Sequence, residues 1–213
     1  PALSRIARAL KIIWDLGGVL LHWQPLQLLR EVLPARAPDE AAAAHWRDAI
    51  FQSFGGDWGE FDRGSVEPDE LARRIARRSG LGVAEAAAVI AAVPPHLQPL
   101  PQAVALLDAL AARGFEQHYL SNMPRPYAEH IEREHDFFDR FASGLFSARV
   151  GLRKPQPELF ALAEQRFGLE APRTLFIDDH AGNVEAARSR GWQALLAQDS
   201  GAIERGLRER GLL

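Results

Sequence analysis

Two adjacent carboxylates, Asp178 and Asp179, close the apolar run Thr174-Leu-Phe-Ile177, and a third, Asp15, closes the run Ile12-Ile-Trp14. Short continuous apolar runs read as strands of a parallel sheet buried on both faces. Open α/β sheets bind ligands at the carboxyl ends of such strands. Three carboxylates gathered at that edge repel one another unless a cation lies among them. The pattern points to a Mg²⁺ site with a nucleophilic aspartate, and so to phosphoryl transfer.

Further landmarks follow other strands or lie in loops: Gly17-Gly18 after Asp15, Ser121-Asn122, Lys154-Pro155, and Asn183 after the acidic pair. Singly, each has a plain structural explanation. Asp15 before glycines suits a turn, and Ser121-Asn122 suits a helix cap. Lys154 is the only lysine besides Lys11 in an arginine-rich chain, which favours a role for a compact ammonium. Adjacent carboxylates after a buried strand are the hardest to explain away, because they destabilise the fold without a counter-ion.

The elements that must position these groups can be read from the same pattern. Leu10 to Leu16 is the first strand. Residues 21–95 then carry helical patterning with no strand. Pro25–Leu33 is a helix stopped by Pro34, and Asp39–Phe54 is one with Asp39 as N-cap. Gly55–Gly59 reads as a break, Glu67–Ser79 as a helix closed by Gly80, and Val83–Val93 as a helix stopped by Pro94-Pro95. That predicts a four-helix insertion. After Pro101, helices at Gln102–Arg113, Tyr127–Glu134, Pro157–Phe167 and Asn183–Arg190 alternate with strands at Phe115–Leu120, Gly144–Ser147, Arg173–Ile177 and Trp192–Leu196. This alternation predicts an α/β fold, a doubly wound parallel sheet with a Rossmann-like core. The core is residues 1–20 and 96–213, and the helical insertion is residues 21–95.

Composition narrows the partners. Hydrophobic residues make up 47% of the 213, enough for a substantial core, and the net charge is −3. No basic field for nucleic acid is expected, and runs such as Glu204–Arg210 read as solvated helix faces. With no cysteine, disulfides, thiolate catalysis and cysteine metal sites are excluded. No apolar stretch approaches the ~18 residues of a membrane span, and Pro1–Lys11 has no apolar signal core. The expectation is a soluble cytoplasmic protein acting on a small phosphorylated metabolite, with no nucleic acid and no membrane partner.

The order and contexts of these landmarks resemble the haloacid dehalogenase-like hydrolase superfamily, over nearly the whole chain. The helical insertion falls where that family has its cap. Trp58–Leu71 and Val150–Phe160 resemble a branch that includes sugar-1-phosphate phosphatases and the phosphatase domain of soluble epoxide hydrolases. The resemblance implies that Asp15 attacks phosphorus, and that Asp15, the Gly17 carbonyl, Asp178 and Asp179 hold Mg²⁺. Ser121 and the loop amides through Gly18 would bind phosphoryl oxygens, and Lys154 would neutralise charge on Asp15 and the phosphate. Asn122 would touch the substrate or phosphoryl group, and Asn183 would brace the acidic loop.

The chain departs from the family at one position. The usual second aspartate, two residues after the nucleophile, is Gly17 here, which removes the standard general acid, typically ~10²–10⁴-fold in rate. Glycine there also occurs in the sugar-1-phosphate branch. His22 is the candidate substitute acid, with simple packing as its alternative. His180 would orient Asp179, Arg125 would reach a substrate anion, and one or two of Trp23, Trp46 and Trp58 would line a pocket. The alternatives to a phosphatase are a metal-free 2-haloacid dehalogenase and a catalytically impaired protein that binds phosphorylated ligands.

Overall fold

The computed structural model describes residues 10–213. The N-terminal segment before residue 10, part of the core range expected above, lies outside the described residues.

Strand β1 (Lys11–Trp14) is followed by five helices: α1 (Pro25–Val32), α2 (Glu40–Phe51), α3 (Gly56–Arg63), α4 (Pro68–Ser79) and α5 (Val83–His96). The chain then runs through α6 (Pro101–Ala112), β2 (Glu116–Ser121), α7 (Arg125–Glu134), β3 (Ser143–Phe146) and the short α8 (Ser147–Val150). It ends with α9 (Pro157–Phe167), β4 (Thr174–Asp178), α10 (Ala181–Ser189), β5 (Gln193–Leu196) and α11 (Ser200–Glu209). The strands form a parallel sheet in the order β3-β2-β1-β4-β5. The chain builds outward from β1 to β3 and then returns to lay β4 on the other side of β1. The β1/β4 boundary is therefore a topological switch point, where strand ends diverge and leave room for a ligand.

The continuous apolar runs are explained by burial on both faces. Ile12 and Trp14 of β1 and Leu175 and Ile177 of β4 belong to a core shared with the helical insertion. The intervening Ile13 and Phe176 pack instead with Leu159, Phe160, Val184 and Ala187 of α9 and α10. Trp14 pairs with Ile177, and the Asp15 N–H extends that ladder by donating to the Ile177 carbonyl at 2.8 Å. Asp15 and Asp178 thus leave neighbouring strands at the same height.

Three local expectations are corrected. The first strand ends at Trp14 rather than Leu16, because the Leu16 carbonyl accepts from the Leu20 and Leu21 N–H groups in a tight turn. Gly55–Gly59 does not break the chain but opens α3, so the insertion holds five α-helices rather than four. Helix α5 runs through Pro94 and Pro95 to His96; a proline's fixed φ is helical, and the carbonyls left without amide partners by the two rings disturb only the end of the helix. Asp39 is the expected N-cap, accepting from the Ala42 N–H at 2.8 Å. No helix among the described residues is long and apolar enough to cross a membrane.

Several contacts tie the insertion to the sheet domain. The Tyr127 hydroxyl donates to the Ile90 carbonyl at 2.7 Å, and Arg153 donates to the Phe54 carbonyl at 2.9 Å. The Ser147 hydroxyl donates to the Asp62 carbonyl. An edge-to-face chain of rings, Trp23–Phe51–Trp58–Phe61–Tyr127, joins α2, α3 and α7. These contacts set the insertion above the carboxyl edge of the sheet.

Candidate active site

The three carboxylates meet at the switch point. One oxygen each from Asp15, Asp178 and Asp179 lie within 4.8 Å of one another. Lys154, itself buried, places Nζ 2.9 Å from Asp15 Oδ1 and 2.6 Å from Asp178 Oδ2. Asp15 Oδ1 also accepts from the Leu16 N–H at 2.7 Å, so among the described residues Oδ2 has no hydrogen-bond partner. Asp178 is saturated: the His180 N–H donates to Oδ1 at 2.8 Å, and Asn183 Nδ2 lies 3.0 and 3.1 Å from its two oxygens. Asn183 therefore braces the acidic loop through Asp178. The exposed His180 ring makes no hydrogen bond among the described residues; its backbone makes the contact, and with Asp178 rather than Asp179.

The charges do not balance. Burial, and then the neighbouring Asp178 and Asp179, push the Asp15 carboxyl up to about 7 despite the pull of Lys154. Crowding by protein and the Asp178 charge push Asp179 up to about 6, although its side chain reaches solvent. Burial alone would drive the Lys154 ammonium toward neutrality. Asp15 and Asp178 outweigh that effect and hold it charged, above its ordinary range. One ammonium among three carboxylates leaves a net charge of two minus. All the open donors are oxygens, which suits a hard divalent cation such as Mg²⁺.

A cavity of about 160 Å³ opens above this edge, comparable with the ~150 Å³ that accommodates benzene. Its floor includes Asp15, Gly17, Ser121, Lys154 and Asp179; Trp23, Phe54, Trp58, Leu97, Met123 and Tyr127 contribute apolar walls. Ser121 is buried at the end of β2, and its hydroxyl has no partner among the described residues.

Several expected roles change. Asn122 lines the cavity, but its amide brackets the Lys154 backbone: Nδ2 donates to the Lys154 carbonyl at 2.9 Å, and Oδ1 accepts the Lys154 N–H at 2.7 Å. It positions the lysine loop. Gly18 is not a phosphoryl donor, because its N–H bonds the Leu21 carbonyl at 2.8 Å. Gly18 instead permits a close approach: at φ +76°, a Cβ there would collide with Asp179 Oδ2. Among the described residues, the Gly17 N–H and carbonyl are left unpaired. His22 does not line the cavity; its N–H donates to the Gln98 carbonyl at 2.8 Å, where the insertion joins the core. Arg125 is exposed at the start of α7 and is not a lining residue. Trp46 also lies elsewhere, donating to the Arg36 carbonyl at 3.0 Å.

Two charged lining residues escape the sequence pattern. Arg153 is adjacent to the lysine and reads as one more solvated arginine, yet its Nε is buried without a partner. Asp62, on α3, is buried to 4% exposure in the cavity wall. In the sequence it cannot be told from Asp57 or Glu60 nearby.

A Rossmann-like sheet with an acidic, lysine-braced switch point under a helical layer places the protein among α/β proteins whose ligand site lies at the carboxyl ends of the strands. The model of the haloacid dehalogenase-like hydrolases matches residues 12–191, and the chain belongs to that family. It is 29% identical over 188 residues to the sesquiterpene phosphatase astK of Aspergillus oryzae, covering 88% of this chain and 89% of that protein. Its fold resembles a HAD family enzyme of Bacteroides thetaiotaomicron crystallised with magnesium and inorganic phosphate. There the TM-score is 0.68 at 21% identity, over 87% of this chain and 92% of that one. The fold is also similar to the L-2-haloacid dehalogenase of Xanthobacter autotrophicus, with a TM-score of 0.65 at 20% identity over 95% and 84% of the two chains.

Proposed function

We propose that this hydrolase is a Mg²⁺-dependent phosphatase acting on the monoester of a small apolar or aromatic alcohol. It would work through an aspartyl-phosphate on Asp15. In this reading, residues 21–95 form a cap over a core of residues 1–20 and 96–213. The carrying observation is Lys154 Nζ bridging Asp15 and Asp178, with Asp179 close by, on the floor of a walled cavity.

Asp15 attacks phosphorus, and its unpartnered Oδ2 is free to take part. Lys154 and the Ser121 hydroxyl stabilise the phosphoryl oxygens, where charge builds in the transition state. Asn122 and Asn183 hold Lys154 and Asp178 in place. The residues that would hold Mg²⁺ are Asp15, the Gly17 carbonyl and Asp179, with Asp178 contributing its charge. Bound there, the ion neutralises phosphoryl and carboxylate charge together. The fold is shared with a dehalogenase, but unneutralised twin acids beside an anionic haloacid oppose that reading. The apolar walls, together with the relation to a sesquiterpene phosphatase, favour an apolar alcohol over a sugar.

The test is release of inorganic phosphate from a panel of monoesters, with Mg²⁺ and with chelator. Release is expected only with Mg²⁺. Prenyl and benzyl phosphates should exceed glucose 1-phosphate in kcat/KM by about tenfold or more, since ~100 Å² of extra apolar burial contributes roughly 2–3 kcal/mol. Equal rates across the panel would remove the apolar assignment.

Gly18→Ala checks the metal reading separately. The side chain would displace Asp179, and the left-handed backbone there costs about 1–2 kcal/mol with a Cβ. The expected variant is folded, slightly less stable, and needs about tenfold more Mg²⁺ for half-maximal activity. An unchanged Mg²⁺ requirement would show that Asp179 is not a ligand.

A further inference from the structure

We propose that Asp62, carried by the helical insertion, is the general acid–base residue of this site, standing in for the acid absent at Gly17. This assignment rests on the phosphatase reading above.

Asp62 shares the cavity with Asp15, Ser121 and Lys154. Asp62 is buried to 4% exposure and lines the cavity; its carboxylate oxygens keep a little open surface and make no hydrogen bond or ion pair among the described residues. A nearly buried carboxylate without a partner in the protein is costly in its charged form unless a proton or a ligand in the cavity meets it. Its backbone is held firmly. The Ser147 hydroxyl that donates to the Asp62 carbonyl also accepts the Met123 N–H at 2.8 Å, on the loop that follows Ser121. Glycines let α3 pack closely: a Cβ at Gly64 would meet the Ala148 carbonyl at 2.8 Å, and one at Gly59 would meet Arg153 Cζ at 3.1 Å. The helical turn that carries Asp62 is thus held against the sheet edge, as a turn must be to bring an acid to a leaving oxygen.

The other lining groups are already committed. Asp15 is the nucleophile, Asp179 belongs to the cation site, and Lys154 is paired twice. The Tyr127 hydroxyl bonds the Ile90 carbonyl, and burial pushes it well above its ordinary range. Arg153 cannot release a proton at working pH. The His180 ring is exposed beside Asp179. At Gly17 a Cβ would meet nothing within 4 Å, so among the described residues nothing crowds the position from which the missing acid would extend. Burial pushes the Asp62 carboxyl up to about 8; Arg153 and Lys154 pull it down and Asp15 pushes it up. Near neutral pH it therefore carries the proton that an acid must donate.

The steps balance. Asp15 forms a bond to phosphorus as the ester P–O bond breaks, and Asp62 gives its proton to the departing oxygen, yielding the alcohol and an Asp62 carboxylate. Water then attacks the aspartyl-phosphate. Asp62 takes one of its protons, the bond from phosphorus to Asp15 breaks, and inorganic phosphate leaves.

The experiment compares Asp62→Asn with the wild type on an alkyl phosphate and an activated aryl phosphate, reading kcat/KM, which reports the leaving-group step. The alkyl value is expected to fall about 10²–10⁴-fold and the aryl value by only a few-fold, because an activated phenolate leaves without a proton. The alkaline limb of the wild-type alkyl profile, where activity falls as pH rises through about 8, should vanish in the variant. Gly17→Asp added to Asp62→Asn should restore alkyl turnover. Stability provides a control for folding. A raised carboxyl pKa means stability is lost as pH climbs from the unfolded value toward the folded one. Asp62→Asn should therefore match the wild type near pH 4 and have the higher Tm by pH 8. Equal losses on both esters, or an unchanged alkyl kcat/KM, would overturn the assignment of Asp62 alone. A wild type that releases no phosphate would instead overturn the phosphatase reading.

Discussion

Asp15→Asn is expected to abolish Mg²⁺-dependent phosphate release, lowering kcat on the order of 10⁴-fold or more, as loss of a nucleophile does. The side-chain oxygen that remains can still accept from the Leu16 N–H, but the neutral amide is a poor nucleophile and cannot form the acyl phosphate. The variant should stay folded. Burial and two neighbouring carboxylates already disfavour charge at this position, so removing the charge in metal-free buffer should not lower Tm. Saturating Mg²⁺ should raise the Tm of the wild type and do so much less in the variant, because a ligand stabilises only the state that binds it. Phosphate release at a tenth of the wild-type rate or better would exclude Asp15 as nucleophile.

Lys154→Met should have the second largest effect, on stability and activity together. The ammonium is the only cation paired with Asp15 and Asp178 among the described residues. Breaking a buried charge pair by removing one partner costs about 3–5 kcal/mol, since the other charge is left uncompensated. Denaturant unfolding at pH 8 should show that loss, and added Mg²⁺ should recover part of it. Acidic pH should also recover part, because protonation relieves the carboxylates. Catalysis should drop by about 10²–10³-fold in kcat, as when an oriented donor to a developing charge is removed. Lys154→Arg is not expected to restore it, because a planar guanidinium does not fit a buried point-charge position. A variant of wild-type stability would mean that the bridge contributes nothing.

The two expectations differ because the two residues meet opposite electrostatic demands. Asp15 is held in a place unfavourable to its charge, which suits the nucleophile of the proposed reaction, where a cation and a substrate would approach it. Lys154 is held in a place that requires its charge. Asn122 and Asn183 keep this arrangement rigid by bonding the Lys154 backbone and the Asp178 carboxylate. Neither amide has to touch substrate to matter.

Much of the site was legible along the chain because strand ends are legible. Ile12–Trp14 and Leu175–Ile177 are continuous apolar runs, and a polar residue just after such a run must emerge at the sheet edge. Asp15, Ser121, Asp178 and Asp179 were located in this way. Lys154 stood out by rarity alone. Reading failed where position depends on how the insertion sits. His22 and Arg125 are near site residues in the sequence, yet neither lines the cavity. Leu21 pairs with Pro99 where the helical insertion leaves and rejoins the sheet, while Arg125 begins a helix whose buried face is carried by Tyr127, Ala128 and Ile131. The resemblance implies a substrate contact for Asn122, and nothing local shows that its partner is the Lys154 backbone thirty-two residues away.

The sequence by itself determined the sheet, the acidic edge and the presence of a helical insertion, since hydrophobic period and breaker residues act over a few neighbours. Only the tertiary structure decided what closes the cavity. Asp62 and Arg153 acquire their character from burial against distant elements: α3 lies close to α8 through Gly64, and Arg153 reaches the Phe54 carbonyl. Burial and the fields of remote charges belong to the three-dimensional packing. An aspartate in an acidic helix carries no local mark of the environment that raises its proton affinity.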